Sequence, residues 1–336
     1  MSENRVYFIA EIGLNHNGDI NLAHELIDIA AKAEVDAVKF QKRTISNLAI
    51  QSVLDQEDSR FPAFGSTYGD IRRYLEFDLE QYLNLQNHSR QVQLDFIVTP
   101  FDETALEFLD PLNLDIYKIA SHSVTNLDFL EKVAKKDKRI IMSTGMSHIE
   151  EIDTAVELIL RHNSKLQLLH CVSSYPTPIE HVNLNTIPFL KERYGLPVGY
   201  SGHETDFLAS ISAVSLGASI VERHITTSKS LEGFDHKLSL DPSELTELVQ
   251  TIRKIEIAVG VKQKKFHSIE QVARDKYNVS MVTSRKIEKG EKLTLDAITW
   301  KNPGTGIPRK DRDLYINKRV KQSLAEDVLI QKDMFE

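Results

Sequence analysis

The sequence predicts an α/β protein: a (β/α)8 barrel of the TIM type followed by a small β-rich domain. Short runs rich in Val and Ile alternate with longer segments of helical periodicity, and the alternation recurs over about 250 residues. Many of these short runs are continuously apolar, as expected for parallel strands that helices cover on both faces. Beyond residue 260 the pattern changes to short β-like runs separated by turn residues.

Each predicted strand is a short apolar run that a helical segment follows. The strands are predicted at residues 6–11, 36–40, 94–98, 115–120, 139–143, 166–172, 197–200 and 219–224. The helices are predicted at residues 19–33, 78–91, 102–109, 126–136, 149–163, 183–194, 205–216 and 242–259. A doubly wound open sheet is the alternative. It usually has fewer repeats and a glycine-rich first turn, whose pattern residues 13–18 do not match.

The limits of this pattern predict the domain boundaries. We expect a barrel domain over residues 1–265, a linker over 266–278 and a β-rich domain over 279–336. Residues 41–77 are too many for an ordinary loop, and we expect them to cross the barrel mouth as a lid.

Composition limits the possible function classes. The formal net charge of −8 argues against non-specific nucleic-acid binding, which needs a basic surface. Cys171 is the only cysteine, so an intrachain disulfide is impossible and a reducing compartment fits. The N-terminal residues lack the apolar core of a signal peptide, and no apolar run approaches the ~20 residues of a membrane span. We therefore expect a cytoplasmic protein without membrane contact.

Polar residues follow the predicted strands at their carboxyl ends, where barrel enzymes carry their active sites. These residues are Glu11, Lys39, Thr99, Lys118, Ser121, Ser143, Ser173, Tyr175, Ser201, His203 and His224. Taken singly, a lysine could pair with a structural carboxylate and a hydroxyl could cap a helix. Together, two lysines and several hydroxyls beside helix N-termini predict a site for a phosphate or a carboxylate.

His203 and His224 occupy matching positions in consecutive repeats, so neighbouring parallel strands would bring both to one rim. The alternative for each is a structural histidine held by a hydrogen bond. Two histidines without a third strong ligand suit Mn²⁺ or another divalent ion that leaves positions open for water and substrate oxygens.

Two carboxylates have both a chemical and a structural interpretation. Glu11 could move protons or activate water, or could simply pair with Lys39 or Lys118. Asp235, after the last predicted strand, could hold a substrate hydroxyl or the metal, or could cap a turn.

Several motifs together resemble the sialic acid synthase family, the phosphoenolpyruvate-dependent synthases of nine-carbon keto-sugar acids. In the barrel they are AEIGLNHNG (10–18), VKFQ (38–41), TPFD (99–102), YKIAS (117–121), STGM (143–146), HC (170–171), YPTP (175–178), GYSGHE (199–204) and ERHIT (222–226). The tail motifs IEKGEKLT (287–294) and NPGTG (302–306) resemble the antifreeze-like (SAF) domain of that family. The resemblance covers nearly the full chain.

The resemblance implies a role for each predicted site residue. It implies that phosphoenolpyruvate is held by Lys39, Thr99, Lys118, Ser121, Ser143, Ser173 and Ser201. It implies that His203 and His224 bind a divalent metal (Mn²⁺, or Mg²⁺ or Co²⁺), that Glu11 is the acid–base group, and that Tyr175 and Asp235 contact the sugar. It also implies a domain-swapped homodimer, in which the small domain of one chain covers the barrel mouth of the other.

Two departures from the family pattern concern the substrates. Ser173 replaces an Asn of some members, and a hydroxyl can still donate to phosphate. Asn302 replaces an Arg that in bacterial members reaches the N-acyl group from the partner subunit, and Lys301 or Arg309 could compensate. The acceptor is therefore open between N-acetylmannosamine and the diacetamido sugars of legionaminic and pseudaminic acid.

Two other functions remain as alternatives at this point. One is condensation of phosphoenolpyruvate with a phosphorylated sugar, as in the Kdo-8-phosphate and DAHP synthases. It would need extra cations at the outer rim, which Arg43, Arg72 or Arg73 could supply. The other is a non-catalytic carbohydrate-binding protein.

Overall fold

The computed structural model describes residues 5–336 and divides the chain into two compact units. The first ends at Gly260, and the second spans Val261–Glu336. Residues 1–4, on which the prediction about the N-terminus partly depends, lie outside the described residues. Among the described residues, no helix is long and apolar enough to cross a membrane.

The first unit is a closed barrel of eight parallel strands in sequence order, which confirms the predicted fold class and excludes the open sheet. The strands are β1 Tyr7–Gly13, β2 Ala37–Lys42, β3 Asp95–Pro100, β4 Ile116–Ile119, β5 Arg139–Ser143, β6 Leu166–Cys171, β7 Val198–Gly202 and β8 Ile220–His224. Pairing of β1 with β8 closes the barrel and places Glu11 opposite His224.

Helices follow the strands, and the longer ones cover the outside of the barrel. They are α1 Ile20–Lys32, α2 Ile45–Leu48, α3 Gln51–Leu54, α4 Tyr68–Tyr74, α5 Leu79–Gln91, α6 Glu103–Phe108, α7 Leu127–Ala134, α8 Ile149–His162, α9 Thr186–Tyr194, α10 Leu208–Ser215 and α11 Pro242–Val259. Local sequence sets several of the starts. Asp78 and Asp241, for example, cap α5 and α11 by accepting backbone N–H bonds, and each is part of a capping box.

Alternation along the strands separates two cores. The residues that face the helices belong to the large cluster between sheet and helices, for example Phe8, Val38 and Val221. The residues that face the barrel interior form a separate apolar cluster. That cluster consists of Ile9, Ala37, Ile97, Ile116, Ile141, Leu169 and Ile220, with Tyr7 packed against it. It closes the interior of the barrel below the carboxyl ends of the strands.

One ion pair is buried between the barrel wall and α10. Arg223 faces outward from β8 and is fully buried, and its Nη1 lies 2.9 Å from Glu204 Oε1. The same guanidinium donates to the carbonyls of Glu204 and Asp206 and to Ser210 Oγ. Buried charges need partners, and the bonds from both terminal nitrogens of Arg223 fix the loop that follows β7.

Residues 41–77, predicted as an excursion over the barrel mouth, contain α2, α3 and α4. They pack on the barrel through a small apolar cluster in which Ile71 and Leu75 meet Leu14. Phe234, from the loop after β8, also packs in this cluster. The segment is therefore a structured wall.

The second unit has its own small core, which includes Met281, Ile287 and Val320. Its two strands, β9 Ser280–Thr283 and β10 Ile298–Lys301, are antiparallel. A further helix, α12 Gln271–Tyr277, lies within the range predicted as a linker and clusters with this unit.

Candidate active site

A ring of mostly polar side chains lies directly above the apolar cluster of the barrel interior. Each member follows an interior residue by two positions on its strand, so strand alternation points it into the barrel. We call this ring the inner polar layer. It consists of Glu11, Lys39, Thr99, Lys118, Ser143, Cys171, Ser201 and Glu222.

Glu222 lies at the centre of the charge pattern in this layer. One of its oxygens, Oε1, is 3.7 Å from Lys39 Nζ and 3.8 Å from Lys118 Nζ, and it accepts a hydrogen bond from Ser201 Oγ at 3.2 Å. Burial alone would raise the pKa of Glu222, but Lys118 and Lys39 lower it below its ordinary value. Glu222 is therefore an ionised carboxylate that both lysines share.

Glu222 lies within the motif ERHIT (222–226), but it is not among the residues that the sequence predicts for the site. A signal existed, because Glu222 lies two residues before His224, and alternate residues of a strand point to the same face. What the sequence could not supply was the distance to lysines on two other strands.

Glu11 is the second carboxylate of the layer. Its Oε2 lies 2.8 Å from Lys39 Nζ, and its Oε1 accepts a hydrogen bond from Gln41 Nε2. Burial lowers the pKa of Lys39, but Glu11 and Glu222 together raise it above the ordinary lysine value. The pKa of Lys118 is lowered because burial outweighs the attraction of Glu222.

Hydroxyl groups complete the lysine surroundings. Lys39 Nζ donates to Thr99 Oγ1 at 3.3 Å, and Lys118 Nζ donates to Ser143 Oγ at 2.6 Å. Next to them, the backbone N–H of Gly145 donates to Ser121 Oγ at 3.0 Å. A Cβ atom on Gly145 would lie 2.5 Å from Ser173 Oγ, so glycine is required for this close approach. These donors suit a small polyanion.

His203 follows β7 and His224 ends the neighbouring strand β8, so the two rings lie side by side at the cavity, with centroids 5.6 Å apart. Burial lowers the pKa of both histidines, which favours neutral rings. His203 Nδ1 donates to the Val172 carbonyl at 2.9 Å, which assigns its proton to Nδ1 and leaves Nε2 with a lone pair. His224 Nδ1 is buried and has no hydrogen-bond partner within residues 5–336.

These two rings fit a divalent ion with an incomplete set of protein ligands. Each supplies a neutral nitrogen, and the remaining positions would be left to water or substrate oxygens. In the described part of the chain, no group of three or more His, Cys, Asp or Glu residues has the arrangement of a metal site. The arrangement thus matches the predicted pair and adds no third strong ligand to it.

Tyr175 and Asp235 lie at the outer side of the histidines. The Tyr175 ring is 4.1 Å from that of His203, and Asp235 Oδ2 is 3.7 Å from His224 Nδ1. All the residues predicted for the site line one cavity of about 510 Å³. The structure therefore brings the predicted set together, while the role of each residue stays a prediction.

Other histidines at the strand ends have structural roles. His16 is fully buried and stacks on Phe77, and burial lowers its pKa to about 3. His170 faces away from the cavity, and its Nε2 bonds to the Val182 carbonyl at 2.6 Å. Cys171 does face inward, and its Sγ is 3.9 Å from His203 Nδ1. Burial raises the pKa of this thiol, which keeps it protonated.

Models of two protein families match the chain: the NeuB family over residues 26–264 and the SAF domain over residues 278–336. The N-acetylneuraminate-9-phosphate synthase of Homo sapiens is 36% identical over 330 residues, which cover 98% of this chain and 92% of that protein. The N,N'-diacetyllegionaminic acid synthase of Campylobacter jejuni is 37% identical over 332 residues, which cover 98% and 99%. The crystal structure of N-acetylneuraminic acid synthetase from Leptospira borgpetersenii matches with a TM-score of 0.71 at 35% identity, over 80% of this chain and 90% of that one.

Proposed function

This chain belongs to the NeuB family, and we propose that it condenses phosphoenolpyruvate with the aldehyde of an open-chain N-acylated hexosamine. The products would be a nine-carbon 2-keto-3-deoxy sugar acid of the sialic acid type and inorganic phosphate. Relatives named as synthases of neuraminic, legionaminic and pseudaminic acids confirm the predicted family and the prediction of a synthase. They disagree with a non-catalytic carbohydrate-binding protein.

One observation carries the proposal: two buried lysines with surrounding hydroxyls lie directly below two histidines, each with a nitrogen that has no hydrogen-bond partner among residues 5–336. Without a ligand, Lys39 and Lys118 are balanced by Glu11 and Glu222, so the inner polar layer has no net charge. A phosphate and a carboxylate on one three-carbon unit would take over these lysine contacts. Ser121, Ser143, Ser173 and Ser201 would donate the remaining hydrogen bonds.

The histidines would hold a divalent ion, for which Mn²⁺ is the first choice and Mg²⁺ or Co²⁺ the alternatives. When bound there, such an ion supplies Lewis acidity to an oxygen of the acceptor aldehyde. Tyr175 and Asp235 lie beside the histidines and would orient the sugar hydroxyls. Holding both reactants in one cavity places C3 of phosphoenolpyruvate against the aldehyde carbon.

Glu11 is positioned to move protons in this reaction. A new bond forms between C3 and the aldehyde carbon, water adds at C2, and the C2–O bond to phosphate breaks. Glu11 Oε2 has no hydrogen-bond partner other than its contact with Lys39 among the described residues, and Glu11 lies opposite His224 on the paired strand. We propose that Glu11 accepts the proton from the attacking water.

The position of C–O cleavage can be measured with isotope. Phosphoenolpyruvate labelled with oxygen-18 at the bridging oxygen is expected to release labelled inorganic phosphate, because water attacks carbon rather than phosphorus. Phosphate release would be assayed first over a panel of N-acetylmannosamine and 2,4-diacetamido-trideoxyhexoses. Label retained in the sugar acid would overturn the mechanism, and no release with any N-acylated hexosamine, free or phosphorylated, would overturn the function.

Metal removal tests the histidine pair. Chelation is expected to abolish phosphate release, and added Mn²⁺ to restore it. Replacing His224 by Asn should raise the Mn²⁺ concentration for half-maximal activity by about 10–100-fold or more, because even weaker perturbations of metal sites have that effect. His170→Asn is the matched control. His170 is a buried histidine on β6, and its ring faces away from the cavity. Activity that resists chelation, or equal metal dependence in both variants, would contradict the assignment.

The homodimer stays a prediction from the family. Sedimentation of the full chain is expected to give twice the mass of the 38.2 kDa chain.

Whether Lys301 or Arg309 compensates for Asn302 is also open to test. Lys301 Nζ is 2.5 Å from Asp327 Oδ1, so that lysine already has a carboxylate partner within its own unit.

A further inference from the structure

A second cationic surface lines the cavity, and the mechanism above does not use it. It is formed by Arg43, which follows β2, and Arg72, which lies on α4. Arg43 is 6% exposed, and its Nη1 is buried with no hydrogen-bond partner in the described chain. The Nε of Arg72 is likewise buried and unpartnered among residues 5–336. Buried donors normally have partners, so two guanidinium groups in one cavity wall, each with one unpartnered buried nitrogen among the described residues, point to a ligand.

Positive and negative side chains around Arg43 and Arg72 do not balance. Glu76 lies 3.0 Å from Lys42 Nζ and 3.7 Å from Arg43 Nη1, so one carboxylate serves two cations. Arg60 on the same wall pairs with Asp58, whereas Arg72 forms no ion pair in the part of the chain that the structure describes. An excess of positive charge therefore remains on this side of the cavity.

Arg43 and Arg72 also repel each other. Burial and the neighbouring charge of Arg72 lower the pKa of Arg43 to about 10. Aromatic rings hold both guanidinium groups in place: Arg43 lies 3.8 Å from the Phe101 ring centroid and Arg72 lies 4.2 Å from that of Phe234. Two like charges held together in this way fit a doubly charged anion, and planar guanidinium groups match the oxygens of a phosphate.

This surface is separate from the lysines but is connected to Glu11. Arg43 Nη2 donates to Gln41 Oε1, and Gln41 Nε2 donates to Glu11 Oε1. A sugar with its aldehyde beside Glu11 and His224 would extend past Gln41 towards the arginines. Phosphoenolpyruvate, in contrast, would be held by Lys39, Lys118 and the hydroxyls around them.

We propose that Arg43 and Arg72 bind a phosphate group on the terminal carbon of the acceptor, so that the substrate is an N-acylated hexosamine 6-phosphate. The proposal rests on the proposed condensation and narrows its acceptor class. It places the phosphate at the end of the sugar that does not react, where it adds binding energy without changing the chemistry at the aldehyde.

The test compares phosphate release with N-acetylmannosamine and with its 6-phosphate at saturating phosphoenolpyruvate. The wild-type protein is expected to have at least about a tenfold higher kcat/KM for the phosphorylated acceptor, since hydrogen bonds to charged groups contribute on that scale. Arg72→Gln and Arg43→Gln should each lower that kcat/KM by about 10–100-fold, through the KM of the sugar phosphate.

Arg73→Gln is the matched control, because Arg73 neighbours Arg72 on α4 but pairs with Asp70 at the surface. It should keep the preference, and the melting temperature of each variant would confirm folding. Equal or better use of the free hexosamine by the wild type would overturn the proposal. So would an Arg72→Gln variant that changes only the KM for phosphoenolpyruvate.

Calorimetric titration with N-acetylmannosamine 6-phosphate separates this proposal from the function. Binding that Arg72→Gln weakens, without any turnover, would keep the anion site and overturn the condensation. Turnover of free hexosamines with no detectable binding of the sugar phosphate would keep the condensation and overturn the anion site.

Discussion

Replacing Glu222 by Gln is expected to lower the free energy of unfolding by about 3 kcal/mol. Removing one partner of a buried ion pair leaves an uncompensated buried charge, here chiefly on Lys118, whose carboxylate partner is Glu222. The lower end of the usual range applies because Lys39 keeps Glu11 at 2.8 Å. The melting temperature should fall by about 6–12 °C.

Inorganic phosphate should partly reverse this loss. An anion bound by Lys118 would replace the missing carboxylate, and a ligand that binds the folded state raises its stability. We therefore expect phosphate to raise the melting temperature of the Glu222→Gln variant more than that of the wild type. Differential scanning fluorimetry with and without phosphate measures both effects.

Glu204→Gln is the control for the Glu222 experiment. Glu204 is as deeply buried and pairs with Arg223 at 2.9 Å, but it lies outside the barrel wall. It should destabilise the protein without any added response to phosphate. If the two variants respond alike to phosphate, Glu222 does not compete with an anion for the lysines.

Replacing Glu11 by Gln is expected to lower kcat by about 10²–10⁴-fold, the usual contribution of a general acid or base. The amide keeps the shape of the side chain but cannot accept the proton of the attacking water. The KM for phosphoenolpyruvate should stay the same or fall, because the site loses a negative charge beside Lys39. Steady-state phosphate release gives both constants.

The alternative interpretation of Glu11, as a partner that only positions Lys39, predicts a different pattern. In that case the amide would misplace Lys39, so the KM for phosphoenolpyruvate would rise and kcat would change little. Glu11→Asp distinguishes the two further, because it keeps the carboxylate. Partial recovery of kcat in Glu11→Asp supports proton transfer, whereas no difference from the amide contradicts it.

Local pattern was sufficient for much of the fold. Apolar runs separated by helical periodicity predicted the strands and the long helices, as in β5 at Arg139–Ser143 and α11 at Pro242–Val259. Period-two alternation also puts Lys39 and Lys118 on the same strand faces as Ala37 and Ile116, which in the structure are the interior faces. Such features depend on neighbours along the chain, so they can be read from the sequence.

Pairings across the barrel depended on its closure. Glu222 lies between Lys39 and Lys118, and His224 lies opposite Glu11, because β8 pairs with β1 at a particular register. Arg43 and Arg72 belong to different elements, and the packing of residues 41–77 on the barrel brings them together. Residue types and strand positions predicted the chemistry of the site, whereas its charge balance follows from distances between groups far apart in the chain.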